Sequence, residues 1–246
     1  MKIATWNVNG IRARNTQFVD WVAAEQPDVI CLQEIKASIP QVPEICNVAG
    51  YTCYWHGAGG YSGVALHVRK SFAEKPDFTH PDFDHETRIV QAEIGGTVFA
   101  SVYVPNGGKD FDAKIAFMNA LIDYAGGIRQ RGLKLVLCGD LNVARTEMDV
   151  HPKERKPNAV GQLPQERQLL EQLIAQGLVD VGRKLYPNDE NYFTWWAPWR
   201  NLRQRNIGWR LDYVLASESL ADRAVSAPSL REVGTSDHAP VVATFE

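Results

Sequence analysis

The sequence predicts an α/β protein of four layers, in which two packed mixed β-sheets are flanked by helices. Apolar or alternating runs of strand length outnumber helical patterns by more than two to one, and the helical patterns lie between strands. No linker rich in proline, glycine or serine and no abrupt shift in composition divides the 246 residues. We therefore expect a single domain, residues 1–246, with helices covering the outer faces of two sheets.

Eight runs rich in Val, Ile, Leu and aromatic residues predict the strands, because such side chains fit a pleated, half-buried surface. They cover residues 2–8, 28–32, 64–68, 88–94, 98–104, 133–138, 211–216 and 240–245. Helical patterns in residues 15–25, 113–131 and 164–176 predict three helices. The third opens with Pro164 near its first turn and closes at Gly177, which is the usual order of these two residue types at helix ends.

The composition is that of a packed globular protein. Hydrophobic residues make up 45% and charged residues 22% of the chain, which excludes a disordered or collagen-like protein. The longest charge-free stretch, residues 45–68, contains five glycines and two histidines, whereas a membrane span needs roughly 20 apolar residues. The first residues lack the apolar core of a signal peptide, so we expect a cytoplasmic protein that does not bind membranes.

The cysteines and the net charge exclude further classes. Four cysteines, irregularly spaced and without a CxxC pair, predict neither a disulfide framework nor a zinc site. The net charge is −3, whereas proteins that bind the nucleic-acid backbone usually carry a basic surface. Any polyanionic partner must therefore be held by a local basic patch.

Polar residues stand where several of the apolar runs end, which is where sheet proteins usually place ligand sites. These residues are Asn7, Glu34, Tyr103, Asp140, Asn142, Asp237 and His238. Each of them alone is compatible with a structural role, as a turn former, a helix cap or a half-buried strand residue. So many such placements together have little structural reason, and they indicate a functional site.

The residue types at these strand ends predict metal-dependent phosphate chemistry. Carboxylate and amide oxygens favour a hard cation such as Mg²⁺ or Mn²⁺ over zinc. Mg²⁺ takes one or two protein carboxylates and leaves its other positions to water and substrate phosphate. The chain has no GxxxxGK[ST], GxGxxG or GxSxG motif, which argues against nucleotide kinases, dinucleotide enzymes and serine hydrolases. Hydrolysis of a phosphate ester remains.

Seven ordered motifs resemble those of the exonuclease III family of abasic-site endonucleases, within the endonuclease/exonuclease/phosphatase superfamily. They are TWNVNGIRA, CLQEIK, YSGVAL, YVPNGGK, GDLNVA, GWRLDY and SDHAPV. The resemblance implies a DNA-repair endonuclease that hydrolyses the phosphodiester 5′ to an abasic site in duplex DNA and leaves a 3′-hydroxyl and a 5′-deoxyribose phosphate. It also implies 3′-5′ exonuclease and 3′-end-cleaning activity, with Mg²⁺ as the cofactor and Mn²⁺ accepted in its place.

The resemblance also assigns a metal site. It makes Glu34 the main metal ligand, with Asn7, Asp237, Asp140 and Asn142 at the same site.

The same resemblance assigns the catalytic roles. Asp140 is expected to orient or deprotonate the attacking water, and Asn142 and Tyr103 to hold the scissile phosphate. His238, oriented by Asp212, is expected to stabilise the charge that develops on the phosphate oxygens. A cation opposite an imidazolium, with amide and phenol donors, is the arrangement that lowers the barrier to in-line attack.

Contacts to DNA are expected from other segments. Residues 191–211 contain four arginines (Arg200, Arg203, Arg205 and Arg210), four of the seven tryptophans and no acid, a composition typical of a nucleic-acid contact. The resemblance assigns Trp195, Trp209 and Leu211 to a pocket for an extruded abasic sugar. It assigns Arg12, Tyr61, Arg88, Asn106 and Lys109 to the DNA side of the site. Trp195 replaces a phenylalanine that is usual in the family, and Lys109 replaces an arginine.

Two other functions remain open at this point. A superfamily phosphodiesterase or phosphatase acting on RNA or on an inositol or lipid phosphate would share the fold and the metal site. A non-catalytic DNA-binding module would share the fold alone, although it gains nothing from carboxylates that face phosphates. We expect a monomer whose partner is duplex DNA with abasic sites or 3′ ends, and we assign no role to His56, His67, His80, His85 or His151.

Overall fold

The computed structural model describes all 246 residues, and twelve strands account for its two sheets. The strands are β1 (Lys2–Asn7), β2 (Val29–Gln33), β3 (Tyr51–His56), β4 (Val64–Arg69), β5 (Phe78–Thr79), β6 (Ile89–Ile94), β7 (Thr97–Tyr103), β8 (Lys134–Asp140), β9 (Leu178–Asp180), β10 (Asp212–Ser217), β11 (Ala224–Ser226) and β12 (Val241–Phe245). The helices are α1 (Asn15–Glu25), α2 (Phe111–Gln130), α3 (Pro164–Ile174), α4 (Val181–Leu185) and α5 (Glu218–Ala221).

Each sheet has six strands and mixes parallel with antiparallel pairing. The first sheet has the order β11-β12-β1-β2-β4-β3, and the second has the order β5-β6-β7-β8-β10-β9. The parallel pairs are β1 with β2 and β7 with β8, the central pairs of the two sheets, and they carry Asn7, Tyr103 and Asp140 at their ends. None of the helices is both long and apolar enough to cross a membrane.

Three hydrophobic layers separate the two sheets from each other and from the helices. Between the sheets, Ile3 and Leu66 of the first sheet pack with Phe99 and Val136 of the second in a cluster of 20 buried residues. On the outer face of the second sheet, α2 and α3 bury a further 20 residues. On the outer face of the first sheet, α1 packs Phe18 and other side chains in a cluster of 15. The predicted four-layered fold is therefore confirmed.

Side-chain alternation along the strands directs the polar strand ends into the space between the sheets. In β1, Ile3 belongs to the core between the sheets, while Trp6 lies on the helix side. Asn7 is four residues after Ile3, so its side chain lies on the same face of the strand and points between the sheets. In β8 the same alternation places Cys138 in the core between the sheets and Asp140 beyond it.

A buried polar layer lies between this core and the strand ends. Thr5 Oγ1 donates to Gln33 Oε1 at 3.1 Å, Gln33 Nε2 donates to Ser101 Oγ at 3.1 Å, and Ser101 Oγ donates to the Leu32 carbonyl at 3.1 Å. These buried groups satisfy one another's hydrogen bonds, as buried polar groups generally do. The layer links both sheets directly beneath the site and fixes their relative register.

All eight predicted strands and all three predicted helices are present, with ends that differ by a few residues. Strands β3, β5, β9 and β11 and helices α4 and α5 were not predicted. β5, β9 and β11 have only two or three residues each, too few to show a period. β3 has the sequence YTCYWH and is partly exposed at five of six positions, because it is an edge strand without the aliphatic residues of a buried one.

The buried histidine His67 makes the stability of the fold sensitive to acid. His67 is fully buried in β4, with its ring edge-on to Trp55 at 4.5 Å and to Phe18 at 5.9 Å between centroids. Burial lowers the pKa of His67 from 6.5 to about 4. Between these two values the unfolded chain binds a proton that the folded chain does not, so the free energy of unfolding falls as the pH falls.

We predict that this single group removes about 3 kcal/mol of stability between pH 6.5 and pH 4, at 1.36 kcal/mol for each unit of pKa difference. His67→Phe keeps an aromatic ring in the site and removes the titration, so its stability should fall less over the same range. Urea denaturation of both proteins at four pH values measures the difference. An equal loss in both proteins would contradict the prediction.

Candidate active site

Five strands bring polar side chains together at one end of the space between the sheets. Asn7 ends β1, and Asp140 ends β8. Asp212 begins β10 and pairs with Asp140 across the antiparallel strands, while Tyr103 ends β7 opposite Asp140. Glu34 directly follows β2. The site therefore draws on both sheets.

A single amide joins the carboxylates of the two sheets. Asn7 Nδ2 donates to Glu34 Oε1 and to Asp140 Oδ2, each at 2.9 Å, and Asn7 Oδ1 accepts from the backbone amide of Asn9 at 3.0 Å. With its nitrogen facing the carboxylates, Asn7 acts as their hydrogen-bond donor. A metal-binding role for Asn7 would require the amide to be reversed.

The backbone around these carboxylates is strained. Asn9, Glu34, Lys36 and Asn142 have φ values of 45°, 50°, 49° and 52°, a region that few residues other than glycine adopt. Such strain costs on the order of 1 to 3 kcal/mol for each residue and is concentrated at functional sites. The surrounding contacts hold it in place, among them a salt bridge of 2.6 Å between Lys36 Nζ and Glu34 Oε2.

His238 lies between two buried carboxylates. Its Nδ1 is 2.9 Å from Asp212 Oδ2, and its Nε2 is 3.8 Å from Asp140 Oδ2. Burial acts to lower the pKa of His238, but the charges of Asp212 and Asp140 outweigh it and raise the pKa to about 10. The raised pKa favours the imidazolium at neutral pH, with Nδ1 hydrogen-bonded to Asp212.

Asp140 has the environment of a general base. It is 1% exposed, and burial raises its pKa to about 7, against the opposing charge of His238. A base is most effective when its pKa is near the working pH. The preceding residue, Gly139, allows the close strand pairing here, because a Cβ at this position would lie 1.8 Å from the Val102 carbonyl oxygen.

Two amides and a phenol line the opposite side of the site. Asn142 Nδ2 donates to the Val104 carbonyl at 2.9 Å, and Asn106 Nδ2 donates to Asn142 Oδ1 at 3.1 Å. Burial raises the pKa of Tyr103, so its hydroxyl stays protonated. The guanidinium of Arg88 lies over the Tyr103 ring at 4.8 Å. The roles of Asn142 and Tyr103 in holding a phosphate stay predictions.

The donor set fits a hard divalent cation. The ligand atoms of Glu34, Asp140 and His238 lie within 4.8 Å of one another. Burial acts to raise the pKa of Glu34, but hydrogen bonds from Asn7 and Lys36 keep it below its ordinary value. Because His238 is protonated, the carboxylate oxygens of Glu34 and Asp140 are the groups able to hold the cation.

The remaining predicted metal residues lie beside these two carboxylates. The carboxylate of Asp237 accepts from Asn9 Nδ2 at 2.8 Å and from Trp195 Nε1 at 3.0 Å. Asn142 donates with its side-chain nitrogen to Asp140 Oδ2 at 3.3 Å, and its Oδ1 accepts from Asn106. Their roles as ligands stay predictions.

A cavity of about 260 Å³ joins these groups to the predicted sugar pocket. Its polar side includes Glu34, Asn142 and His238, and its apolar side includes Trp195, Trp209 and Leu211. The two tryptophan rings meet edge to face, with centroids 5.5 Å apart. Backbone bridges pair Trp195 with both Trp209 and His238, so the apolar wall is joined to the segment that carries His238.

The residues predicted to contact DNA differ in exposure. Arg12, Asn106 and Lys109 are exposed, and Tyr61 is 60% exposed. Arg88 is 1% exposed, and its guanidinium is paired with Glu86 and donates to the Tyr61 hydroxyl at 2.9 Å. Arg88 contacts the site through the rings of Tyr61 and Tyr103, on which its guanidinium packs.

The prediction that residues 191–211 form a basic contact surface is wrong for two of the four arginines. Arg210 is buried and forms ion pairs with Asp149 and Asp180. Arg203 donates to the carbonyls of Arg231 and Val233, among others. Both arginines therefore stabilise the loops.

Lys114, which the sequence analysis did not identify, supports the loops that carry Asn142 and Asn106. Lys114 is fully buried on α2 and forms an ion pair with Glu166. Its Nζ also donates to the carbonyl of Asn142 at 2.7 Å and to that of Asn106 at 3.1 Å. The available signal was a lysine in register with the apolar stripe of a helix that continues through Phe117.

Comparisons with known proteins agree with this geometry. The model of the Endonuclease/Exonuclease/phosphatase family matches residues 4–238. The chain is 37% identical to an exodeoxyribonuclease of Bacillus subtilis, over 98% of each protein. It is 36% identical to the DNA repair nuclease APEX1 of Danio rerio, over 98% of this chain and 81% of the relative.

Solved structures show the same fold. A 3′-5′ exonuclease from Neisseria meningitidis superposes with a TM-score of 0.92 at 31% identity, over all of both chains. An AP endonuclease from Archaeoglobus fulgidus superposes with a TM-score of 0.90 at 31% identity, over 100% of this chain and 99% of the other. On the family match, the relatives and the carboxylate site together, this chain belongs to the endonuclease/exonuclease/phosphatase family.

Proposed function

We propose that this chain is a DNA-repair endonuclease that hydrolyses the phosphodiester 5′ to an abasic site in duplex DNA. The observation that carries the proposal is the single cavity that joins the carboxylate and imidazolium groups to a wall of two tryptophans and a leucine. A phosphodiester on the polar side would place the adjoining sugar against the apolar side. Relatives named exodeoxyribonuclease and DNA repair nuclease support DNA as the substrate over an inositol or lipid phosphate.

The residues of the site have different roles in the proposed reaction. Asp140, whose carboxylate is buried beside His238 and Asn7, takes a proton from the attacking water. Tyr103 donates a hydrogen bond to the phosphate oxygens, and Asn142 donates the N–H that otherwise makes the long contact of 3.3 Å with Asp140 Oδ2. The imidazolium of His238 stabilises the negative charge that grows on the phosphate oxygens. Held by Glu34 and its neighbouring carboxylates, Mg²⁺ (or Mn²⁺) would act as a Lewis acid that polarises the phosphate.

We further propose 3′-5′ exonuclease and 3′-end-cleaning activity at the same site, because a 3′ end presents the same phosphate and sugar to the cavity. Residues 1–246 would act as one catalytic domain and as a monomer. The cytoplasm is the proposed compartment, since its reducing conditions maintain free thiols such as the four cysteines here.

Cleavage of a duplex with one abasic site analogue tests the function. We expect a single nick 5′ to the lesion with a 3′-hydroxyl product in Mg²⁺, and no nick in EDTA. Asp140→Asn should lower turnover at least about a hundredfold, the usual scale for removal of one preorganised catalytic group. Single-turnover rates and end-group analysis of the products provide the measurement.

The exposed variant Asp82→Asn serves as the control, since Asp82 lies outside the cavity. Near-native cleavage by Asp140→Asn at saturating Mg²⁺ would remove Asp140 from its proposed role. Equal rates on damaged and undamaged duplex, or hydrolysis of phosphoinositides instead, would contradict the substrate.

Duplex binding should depend on salt through Arg12 and Lys109, the two exposed cations of the predicted DNA contacts. Each phosphate contact that is removed should flatten the log–log salt dependence of affinity by about 0.9. The double variant Arg12→Ala/Lys109→Ala should therefore flatten the slope by up to about 1.8.

The matched control is Arg131→Ala/Lys134→Ala, which removes two exposed cations next to the start of β8, at the opposite end of the strand from Asp140. Fluorescence anisotropy titrations from low to moderate salt measure both slopes. A similar change of slope in both double variants would contradict the prediction that DNA binds to the face that carries Arg12 and Lys109.

Removing a large side chain from the apolar wall should enlarge the cavity and weaken discrimination against undamaged DNA. An abasic sugar leaves the duplex at little cost, whereas a normal nucleotide loses a few kcal/mol of pairing and stacking and carries a base that must also fit. Trp209→Ala makes room for that base, so the ratio of abasic to undamaged cleavage should fall.

Trp199→Ala is the matched control, because Trp199 lies in the same segment, is 59% exposed and does not line the cavity. Both cleavage rates and the Tm are measured on each variant. A large loss of stability in Trp209→Ala with an unchanged rate ratio would identify Trp209 as a packing residue only.

A further inference from the structure

Three side chains that are distant in sequence form a second cluster outside the cavity. His56 ends β3, His80 follows β5, and Asp84 lies in the loop before β6. Their potential ligand atoms lie within 4.8 Å of one another. His56 Nε2 is 2.5 Å from Asp84 Oδ2, and the two imidazole rings stack with centroids 3.8 Å apart.

Two of the three side chains are oriented by the backbone of one residue, Ile89. Asp84 Oδ1 accepts from the backbone amides of Arg88 at 2.8 Å and Ile89 at 3.1 Å. His80 Nδ1 is 3.1 Å from the Ile89 carbonyl, so it carries the proton there, because a carbonyl oxygen only accepts. Asp84 Oδ2 and His80 Nε2 are therefore the atoms directed into the cluster, where they accept hydrogen bonds from His56 Nε2 and from the Tyr54 hydroxyl.

Contacts of this kind behind the ligating atoms are what hold metal ligands in place in proteins. A histidine that binds a metal usually donates its other ring N–H to a carbonyl or carboxylate, which fixes the tautomer. Ligating carboxylates are in turn hydrogen-bonded through their other oxygen. His80 and Asp84 both meet this condition, and all three side chains are partly accessible to solvent.

We propose that His56, His80 and Asp84 form a binding site for Zn²⁺ or a similar transition-metal dication, separate from the carboxylate site in the cavity. Two imidazole nitrogens and one carboxylate oxygen are donor types that zinc accepts, whereas Mg²⁺ prefers oxygen alone. Binding replaces the proton between His56 Nε2 and Asp84 Oδ2, and that proton passes to solvent. Water completes the four-coordinate site at its exposed side.

Metal binding requires the side chains to rearrange. Zinc lies about 2.0 to 2.2 Å from nitrogen and oxygen ligands, so the ligand atoms must lie roughly 3.3 Å from one another. His56 Nε2 and Asp84 Oδ2, now 2.5 Å apart, must separate, and the two stacked imidazole rings must turn so that both direct a nitrogen at the ion. His80 Nε2 would give up its present hydrogen bond of 2.9 Å with the Tyr54 hydroxyl.

The site would act on the segment that carries Arg88. Glu86 and Thr87, between Asp84 and Arg88, have φ values of 55° and 57°, so this turn is strained. A metal bound to Asp84 would fix the turn, and with it the guanidinium that packs over the Tyr103 ring at 4.8 Å. The expected role is therefore structural support of this edge of the active site.

Equilibrium dialysis of the full chain against Zn²⁺ in excess Mg²⁺ tests the proposal, with metal content measured directly. The excess Mg²⁺ competes at the oxygen-donor site in the cavity. We expect one bound Zn²⁺, and at least about a tenfold weaker affinity in His80→Asn and in Asp84→Asn. Asp84→Asn retains the oxygen that accepts from Arg88 and Ile89, so it decides the question if His80→Asn does not fold.

Two control variants separate the cluster from other sites. His85→Asn changes an exposed histidine of the same loop that is not part of the cluster, and its affinity for Zn²⁺ should be unchanged. Glu34→Gln alters the cavity and should also retain the Zn²⁺. Zinc at a hundred times its Kd should raise the Tm of the unmodified protein by roughly 5 to 10 °C, and that of Asp84→Asn by less.

Absence of bound Zn²⁺ in excess Mg²⁺ would overturn the proposal. So would a site that disappears in Glu34→Gln but persists in Asp84→Asn, since the metal would then bind in the cavity. Both results leave the proposed endonuclease function intact, because none of the three cluster residues belongs to its machinery.

Discussion

The site depends on one contact, in which the Asn7 amide nitrogen bridges Glu34 of one sheet and Asp140 of the other at 2.9 Å each. Two buried carboxylates repel each other strongly where the local dielectric is low. The two N–H groups of a single amide, the ammonium of Lys36 and the imidazolium of His238 offset that repulsion. Because each sheet supplies one carboxylate, the site exists only when the two sheets are packed together.

The core between the sheets fixes the positions of the side chains that make this contact. A strand alternates its side chains with a period of two, so the residues that follow the core positions of a strand enter the same space. The hydrogen-bonded layer of Thr5, Gln33 and Ser101 then fixes how the strand ends meet. Strained backbone at Glu34 and Asn142 is retained on top of this rigid base, where functional geometry outweighs local stability.

Positive charge in this protein has two separate uses. Arg88, Arg203 and Arg210 are held by acids, carbonyls or aromatic rings inside the structure, whereas Arg12 and Lys109 remain exposed. A buried arginine satisfies its several donors only with many partners, and loops without regular structure supply them as free carbonyls. A count of basic residues in a segment therefore does not locate a nucleic-acid contact.

The sequence by itself determined the fold class, eight of the twelve strands and the group of residues at the strand ends, because alternation and end positions are local properties of the chain. Only the tertiary structure decided which charges are internal and which side chains meet across the sheets. Lys114 is 52 residues from Glu166, Arg210 is 61 from Asp149, and His56 is 28 from Asp84. No periodicity links such positions, since their proximity follows from how two sheets and their loops pack together.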